Sequence, residues 1–234
     1  MPELPPPLPP ETRTVGQLIA ETIRAYGNDF WRVLPLGIPL AVADQLSVRE
    51  TAPVQMAVFW ATLPLFVGAY LWACRLVLRA TPTITAVAVA ALIWVPFPAL
   101  RYLFVLPALA WLAFIGLAVP AAMVERLRFR AALIRGRRLG TADFVHALGS
   151  LAALVVVVGI AANTLSALLH TQGDNGQRVA VFLSDLVLSP LLFLGGALLY
   201  VDQAARAVRS APDAALHPPV DADATGRPDP QVES

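Results

Sequence analysis

The sequence predicts an all-α, polytopic integral membrane bundle of six transmembrane helices, preceded by an amphipathic interfacial helix. Three observations predict it. Hydrophobic residues make up 57% of the 234-residue chain and charged residues only 14%, with a mean hydropathy of +0.66. A soluble domain carries ~25% charged residues. Apolar runs close to the ~20 residues that a bilayer crossing needs recur along the chain. The 17 basic residues, all arginine, lie mostly between those runs.

Taken in order, residues 1–12 form a proline-rich, acidic leader expected to stay extended. Thr14, with Gln17 three residues later, fits a capping box. Val15, Leu18, Ile19, Thr22, Tyr26 and Phe30 then recur at helical spacing, with Glu21, Arg24 and Asp29 off the stripe. Such a helix is too polar to span. Two placements fit it, flat on the bilayer surface or packed on the inner ends of the bundle. The membrane domain, residues 13–210, holds spans at about 31–47, 53–74, 80–100, 102–124, 147–170 and 179–201. The first is the weakest, with Pro35 and Pro39 inside it and Asp44–Gln45 at its end. Thr81–Pro82 reads as the cap of the third. Pro96 and Pro98 break that span's far end, and Arg101 alone separates it from the fourth. Asp185 and Pro190 interrupt the sixth. Residues 211–234 are acidic, proline-rich and expected to be disordered.

Arginine placement fixes an orientation. Six spans put Arg49, Arg101 and Arg178 on one side and the remaining fourteen of the 17 on the other, a strong positive-inside bias. Dropping the first span weakens the split to eleven against six. Both termini are therefore expected in the cytoplasm of a plasma (inner) membrane protein.

Two features could carry function. The loop 125–146 holds Arg126, Arg128, Arg130, Arg135, Arg137 and Arg138, interleaved with Leu127, Phe129, Leu133, Ile134 and Leu139. Apolar side chains could enter the interface while guanidinium groups reach lipid headgroups. Membrane lipids are thus the expected partners, with a membrane or cytoplasmic protein as the other. The simpler account is a topology signal and nothing more. Nucleic acid is not expected, because the cluster is short and tied to the membrane at both ends.

The second feature is intramembrane. Gly149, Ala152, Val156, Gly159, Asn163, Ser166 and His170 share a face of the fifth span, and Asp185, Ser189, Gly196 and Gln203 share one of the sixth. The short connection between these spans makes them antiparallel neighbours, so Asn163 and Asp185 are expected to hydrogen-bond across the pair. A buried acid is a functional candidate, and Asp185 could line a solute or lipid path with Asp44 and His170. That transport reading is the alternative to a scaffold.

Enzyme signatures of the HExxH, GxSxG and P-loop kinds are missing. His146 and His170 fall on opposite sides and His217 in the tail, so neither a metal site nor a cofactor is expected. Cys74 is a lone cysteine, read as inert packing. The chain is read as non-enzymatic.

Two stretches resemble a known family. TVGQLIAETIRAYGNDFWRVLPL looks like its entry, an amphipathic helix ending in an aromatic–Trp–Arg turn. LAVPAAMVERLRFRAALIRGRRLGTADFVHALG resembles its central signature through Pro120, Glu125, Ala131, Ala132, Leu133, Arg135, Arg138 and Leu139. The family is the glycerophosphodiester-phosphodiesterase membrane-domain-like group of bacterial six-helix proteins, and the likeness covers roughly residues 13–205. Gly136 stands where a serine is common there, and Ala142–Asp143 replace a Gly–Arg pair. The resemblance implies a helical membrane module. In the namesake enzymes that module accompanies a separate soluble catalytic domain, which this chain has no room for, so phosphodiesterase activity is not implied.

Overall fold

Thr14 caps the first helix as its spacing predicts: its hydroxyl accepts from Gln17 N at 3.4 Å, and Gln17 Oε1 accepts from Thr14 N at 2.7 Å. The computed structural model describes residues 9–169 and 173–216. Among them the secondary structure is entirely helical. Pro10–Thr12 form a single 3-10 turn ahead of helix α1, Val15–Asn28. Leu18 and Thr22 of α1 are fully buried, and the helix packs against the last two long apolar segments.

The apolar segments are helices, but most are broken, and the breaks fall at prolines. Residues 31–47 divide into α2 (Phe30–Val33), a 3-10 turn at Leu34–Gly37 containing Pro35, and α3 (Ile38–Ser47). The expected second span is two helices, α4 (Ala52–Ala61) and α5 (Leu63–Leu78), bent by 50°. Pro64 lies in the first turn of α5, where its missing N–H is tolerated. The third is α6 (Ile84–Trp94) followed by α7 (Phe97–Leu103), parted at Val95–Pro96. Its cap is Thr83, which accepts from Ala86 N at 3.1 Å, and not Thr81.

The stretch expected as the fourth span comprises α8 (Val105–Ile115) and α9 (Ala118–Val124), hinged at Gly116–Leu117. The expected 125–146 loop is instead largely a helix, α10, from Phe129 to Ala142. The stretch expected as the fifth span is α11, Phe144–Leu169. The one expected as the sixth begins early as α12 (Gly173–Leu188) and continues after Ser189 as α13 (Pro190–Leu216). Helix α13 runs past the tail boundary set at residue 210, through a stretch rich in alanine, the strongest helix former. The rest of the tail, and residues 1–8 of the leader, lie outside the described residues.

Among the described residues, three helices are long and apolar enough to cross a membrane: Val105–Val124, Phe144–Leu165 and Arg178–Arg209, of 20, 22 and 32 residues. The bent pair α4–α5 makes a fourth if taken as one span. Arg178–Arg209 would extend ~48 Å, against ~30 Å of hydrocarbon, so its last turns project beyond the bilayer core.

The helices share an aromatic core. Phe66 of α5 lies 5.3 Å from Trp94 of α6 and 6.3 Å from Phe193 of α13, between ring centroids. A second cluster joins Leu18, Leu139, Ala147, Leu199 and Tyr200, and so ties α1 and α10 to α11 and α13. Cys74 is fully buried, with its thiol free.

Three arginines adopt left-handed backbone angles: Arg49 (φ 66°), Arg79 (φ 52°) and Arg126 (φ 49°). Glycine is the usual residue in that conformation, and an L side chain there costs about 1–2 kcal/mol. Arg79 directly follows α5, and Arg126 follows the C-cap of α9. A cation at those points meets the negative end of the helix dipole, which offsets part of the strain.

Candidate functional site

Helix α10 follows from its sequence in two ways. Ala, Leu and Arg, all good helix formers, fill most of it. Its buried residues, Ala132, Gly136, Leu139 and Gly140, recur on one face. That face lies on the α8–α9 hinge at backbone contact. A Cβ on Gly136 would come 2.5 Å from the Ala118 backbone, and one on Gly140 would collide with the carbonyls of Ala113 and Phe114. This is small-residue packing, in which backbones approach closely because no side chain intervenes. Asp143 ends the helix and starts the next: its Oδ1 accepts from His146 N at 3.1 Å, an N-cap for α11.

The six candidate arginines divide by this docking. Arg135 points inward, donating from Nε to both oxygens of Glu125 at 2.9 and 3.1 Å. The Tyr200 hydroxyl donates to the same carboxylate at 3.1 Å, so Glu125 fastens α10 to α13. The Arg137 guanidinium stacks 5.6 Å from the Phe114 ring centroid, within cation–π range. Arg126, Arg128, Arg130 and Arg138 are exposed, and no described acid pairs with them. Beside them Phe129 and Ile134 are 41% and 49% exposed. The outer face of α10 is therefore a set of cations interleaved with large apolar side chains, held in place by its inner face. Replacing Glu125 with glutamine is expected to weaken the Arg135 contact by about 1 kcal/mol, since both side chains are partly solvated. Faster tryptic cleavage at Arg135 would register it.

A buried polar knot sits beside α10, and the residue pattern gave no notice of it. Arg13 Nη1 donates to Asp202 Oδ1 at 2.7 Å, with Asp202 and Gln203 both 0% exposed. Arg206 donates to Asp143 Oδ2 at 2.8 Å and to the Arg13 carbonyl at 2.7 Å. Gln203 Nε2 donates to the Asp143 carbonyl at 3.2 Å. The knot joins the start of α1, the α10–α11 corner and α13. Partners up to 193 residues apart meet in it, beyond reach of any local pattern. The sole hint was position, since Asp202, Gln203 and Arg206 share a face just past the last apolar run.

The intramembrane candidates do not converge as expected. Helices α11 and α12 are antiparallel neighbours, but Asn163 is exposed and its Nδ2 donates to Gly159 O of its own helix at 2.8 Å. It does not reach Asp185. Gly149 and Gly159 face open space, so the small-residue stripe of α11 receives no helix. The close approach between α11 and α13 instead falls at Gly195, where a Cβ would collide with Leu154. Asp185 is partly buried, and its carbonyl accepts from the Ser189 hydroxyl at 2.6 Å. Asp44 is on α3, which packs on α12, and Gln45 Nε2 donates to Arg178 O at 2.7 Å. His170 lies outside the described residues.

The fold and site together define a helical protein with apolar helices long enough to cross a membrane and a docked, arginine-faced helix. Comparison with protein-family models, curated proteins and solved structures gave no match.

Proposed function

We propose that the chain is a non-enzymatic, multi-pass plasma-membrane protein that crosses the bilayer six times with both termini in the cytoplasm. In this reading it serves as an envelope scaffold whose α10 face holds anionic lipid headgroups or an acidic surface on a membrane or cytoplasmic partner. Arginine asymmetry supports the span count, as does the apolar helical character of every segment, broken or continuous. The resemblance to the bacterial six-helix membrane group belongs to the same reading.

One observation carries it. Arg130 and Arg138 lie exposed on α10 beside Phe129 and Ile134, while Gly136 and Gly140 press the opposite face onto the α8–α9 hinge. Docking there holds the cations beside the last turns of a spanning helix, at headgroup depth. A topology signal would need no such rigid seat. Each basic residue near an anionic surface contributes ~1 kcal/mol, so replacing both Arg130 and Arg138 with alanine should lower affinity for phosphatidylglycerol roughly 30-fold. Titration of the purified protein with phosphatidylglycerol, with phosphatidylcholine as reference, measures it. Equal binding of the two lipids, unchanged in the double variant, would reduce the arginines to a topology signal. Arg135 is unsuited to this test because it is tied to Glu125.

A further inference from the structure

The bundle encloses a cavity of about 290 Å³ that neither the arginine face nor the polar knot uses. Its wall follows α8 from Val105 through the hinge residues Gly116 and Leu117 and is completed by α5, α11, α13 and the rings of Phe66, Trp94, Phe97 and Phe193. Val105, at one end, is 49% exposed, and Leu117, at the other, is 2% exposed. The wall therefore runs from an exposed residue beside α7 to a buried one at the α8–α9 hinge.

The wall is almost entirely apolar, and its hydroxyl protons are already used. The Tyr70 hydroxyl donates to Gly116 O at 3.2 Å, and the Ser189 hydroxyl to Asp185 O at 2.6 Å. The Trp94 indole N–H has no partner, but it is itself covered and presents no surface to the cavity. Water needs two to four polar partners to occupy such a space, and an apolar cavity of ~150 Å³ already stays dry and takes up small hydrocarbons. Shape narrows the occupant further. From Val105 to Leu117 is ~18 Å at helical rise, so the lining runs lengthwise along one face of this segment. An elongated apolar space of this kind suits an extended hydrocarbon chain, whose methylene groups can make van der Waals contact along its length.

We propose that this cavity binds a single unbranched acyl chain, inserted beside Val105 with its terminal methyl toward Leu117. The surrounding solvent supplies such chains at high concentration, and burial among aromatic rings gives this one a fixed seat that lipid-facing surfaces lack. An acyl chain can come from a phospholipid or from a free fatty acid, and the wall, which reads only hydrocarbon, accepts either.

The test uses two photoreactive probes in proteoliposomes of the full chain: phosphatidylglycerol with a mid-chain diazirine, and palmitic acid with the same group. Crosslinked peptides are mapped by mass spectrometry. The expected result is saturable labelling of the α6 and α8 wall, competed by excess unlabelled lipid, while labelling at the lipid-facing Val156 and Ile160 is not competed. Labelling by one probe and not the other identifies the source. Gly196→Leu fills the cavity from α13, where a Cβ meets nothing closer than the Tyr70 ring at 3.5 Å. It should abolish wall labelling and leave labelling at Val156 intact. Ala108→Phe fills the space from α8 if the first variant does not purify as a single folded species. Wall labelling that is absent, or neither competed nor lost on filling, overturns the proposal. Competition in the native protein decides the matter even if both variants fail to fold.

Discussion

Replacing Arg13 with methionine is expected to cost about 3–5 kcal/mol, the penalty for leaving a buried charge without its partner. Asp202 is fully buried, its Oδ1 is held by Arg13 at 2.7 Å, and its Oδ2 has no hydrogen-bond partner. Arg206 holds Asp143 and the Arg13 carbonyl through its two Nη atoms, so it does not replace the direct Arg13 bond without giving up one of these. Thermal unfolding in detergent reads the loss. Arg24→Met is the control: Arg24 pairs with Glu21 on the surface, its side chain 44% exposed, and such pairs contribute ~1 kcal/mol or less. Adding Asp202→Asn to Arg13→Met should recover much of the loss by removing the stranded charge. Equal effects of Arg13→Met and Arg24→Met would show that the knot does not hold α1 to α13.

Gly136→Val is expected to undock α10 at a cost of about 3 kcal/mol, the upper end for overpacking. The new Cβ would sit 2.5 Å from Ala118 backbone atoms, which cannot rotate aside as a side chain does. Undocking should expose the whole Arg128–Arg138 segment to trypsin while the spanning helices stay folded. Gly159→Ala separates this from a general glycine effect, since nothing lies within 4 Å of a Cβ there. That variant should be neutral or slightly stabilising through helix propensity. If Gly136→Val cleaves no faster than the native chain, α10 is not seated by that contact.

Local chemistry was legible and long-range chemistry was not. The Thr14–Gln17 box, the antiparallel α11–α12 pair and the interruption at Pro190 follow from spacing and residue type within a few positions. The α10 helix was missed because its buried stripe is Ala132, Gly136, Leu139 and Gly140. Three of those four residues are too small to raise hydropathy, so the stretch reads as polar. The bend ahead of Pro64 went unplaced because a proline in a first helical turn both starts one helix and ends another. Asn163 was paired with Asp185 from polar stripes on antiparallel neighbours, yet its amide is satisfied four residues back on its own helix, a bond open to any such side chain. The polar knot depends on the fold bringing Arg13 to Asp202. For the arginines, sequence supplied the cluster and the structure sorted it: Arg135 and Arg137 support the helix, while Arg130 and Arg138 face outward.

The central claim is that six crossings place α10 on the same side as both termini. Single cysteines at Glu50, Thr81 and Ala131, all exposed positions, test it with a membrane-impermeant maleimide in right-side-out and inverted vesicles. The native chain is a silent background, because Cys74 is fully buried. The account predicts that Glu50→Cys reacts only from outside, and Thr81→Cys and Ala131→Cys only from inside. If Glu50→Cys and Ala131→Cys react from the same side, the six-span arrangement and the cytoplasmic placement of the arginine helix are both contradicted.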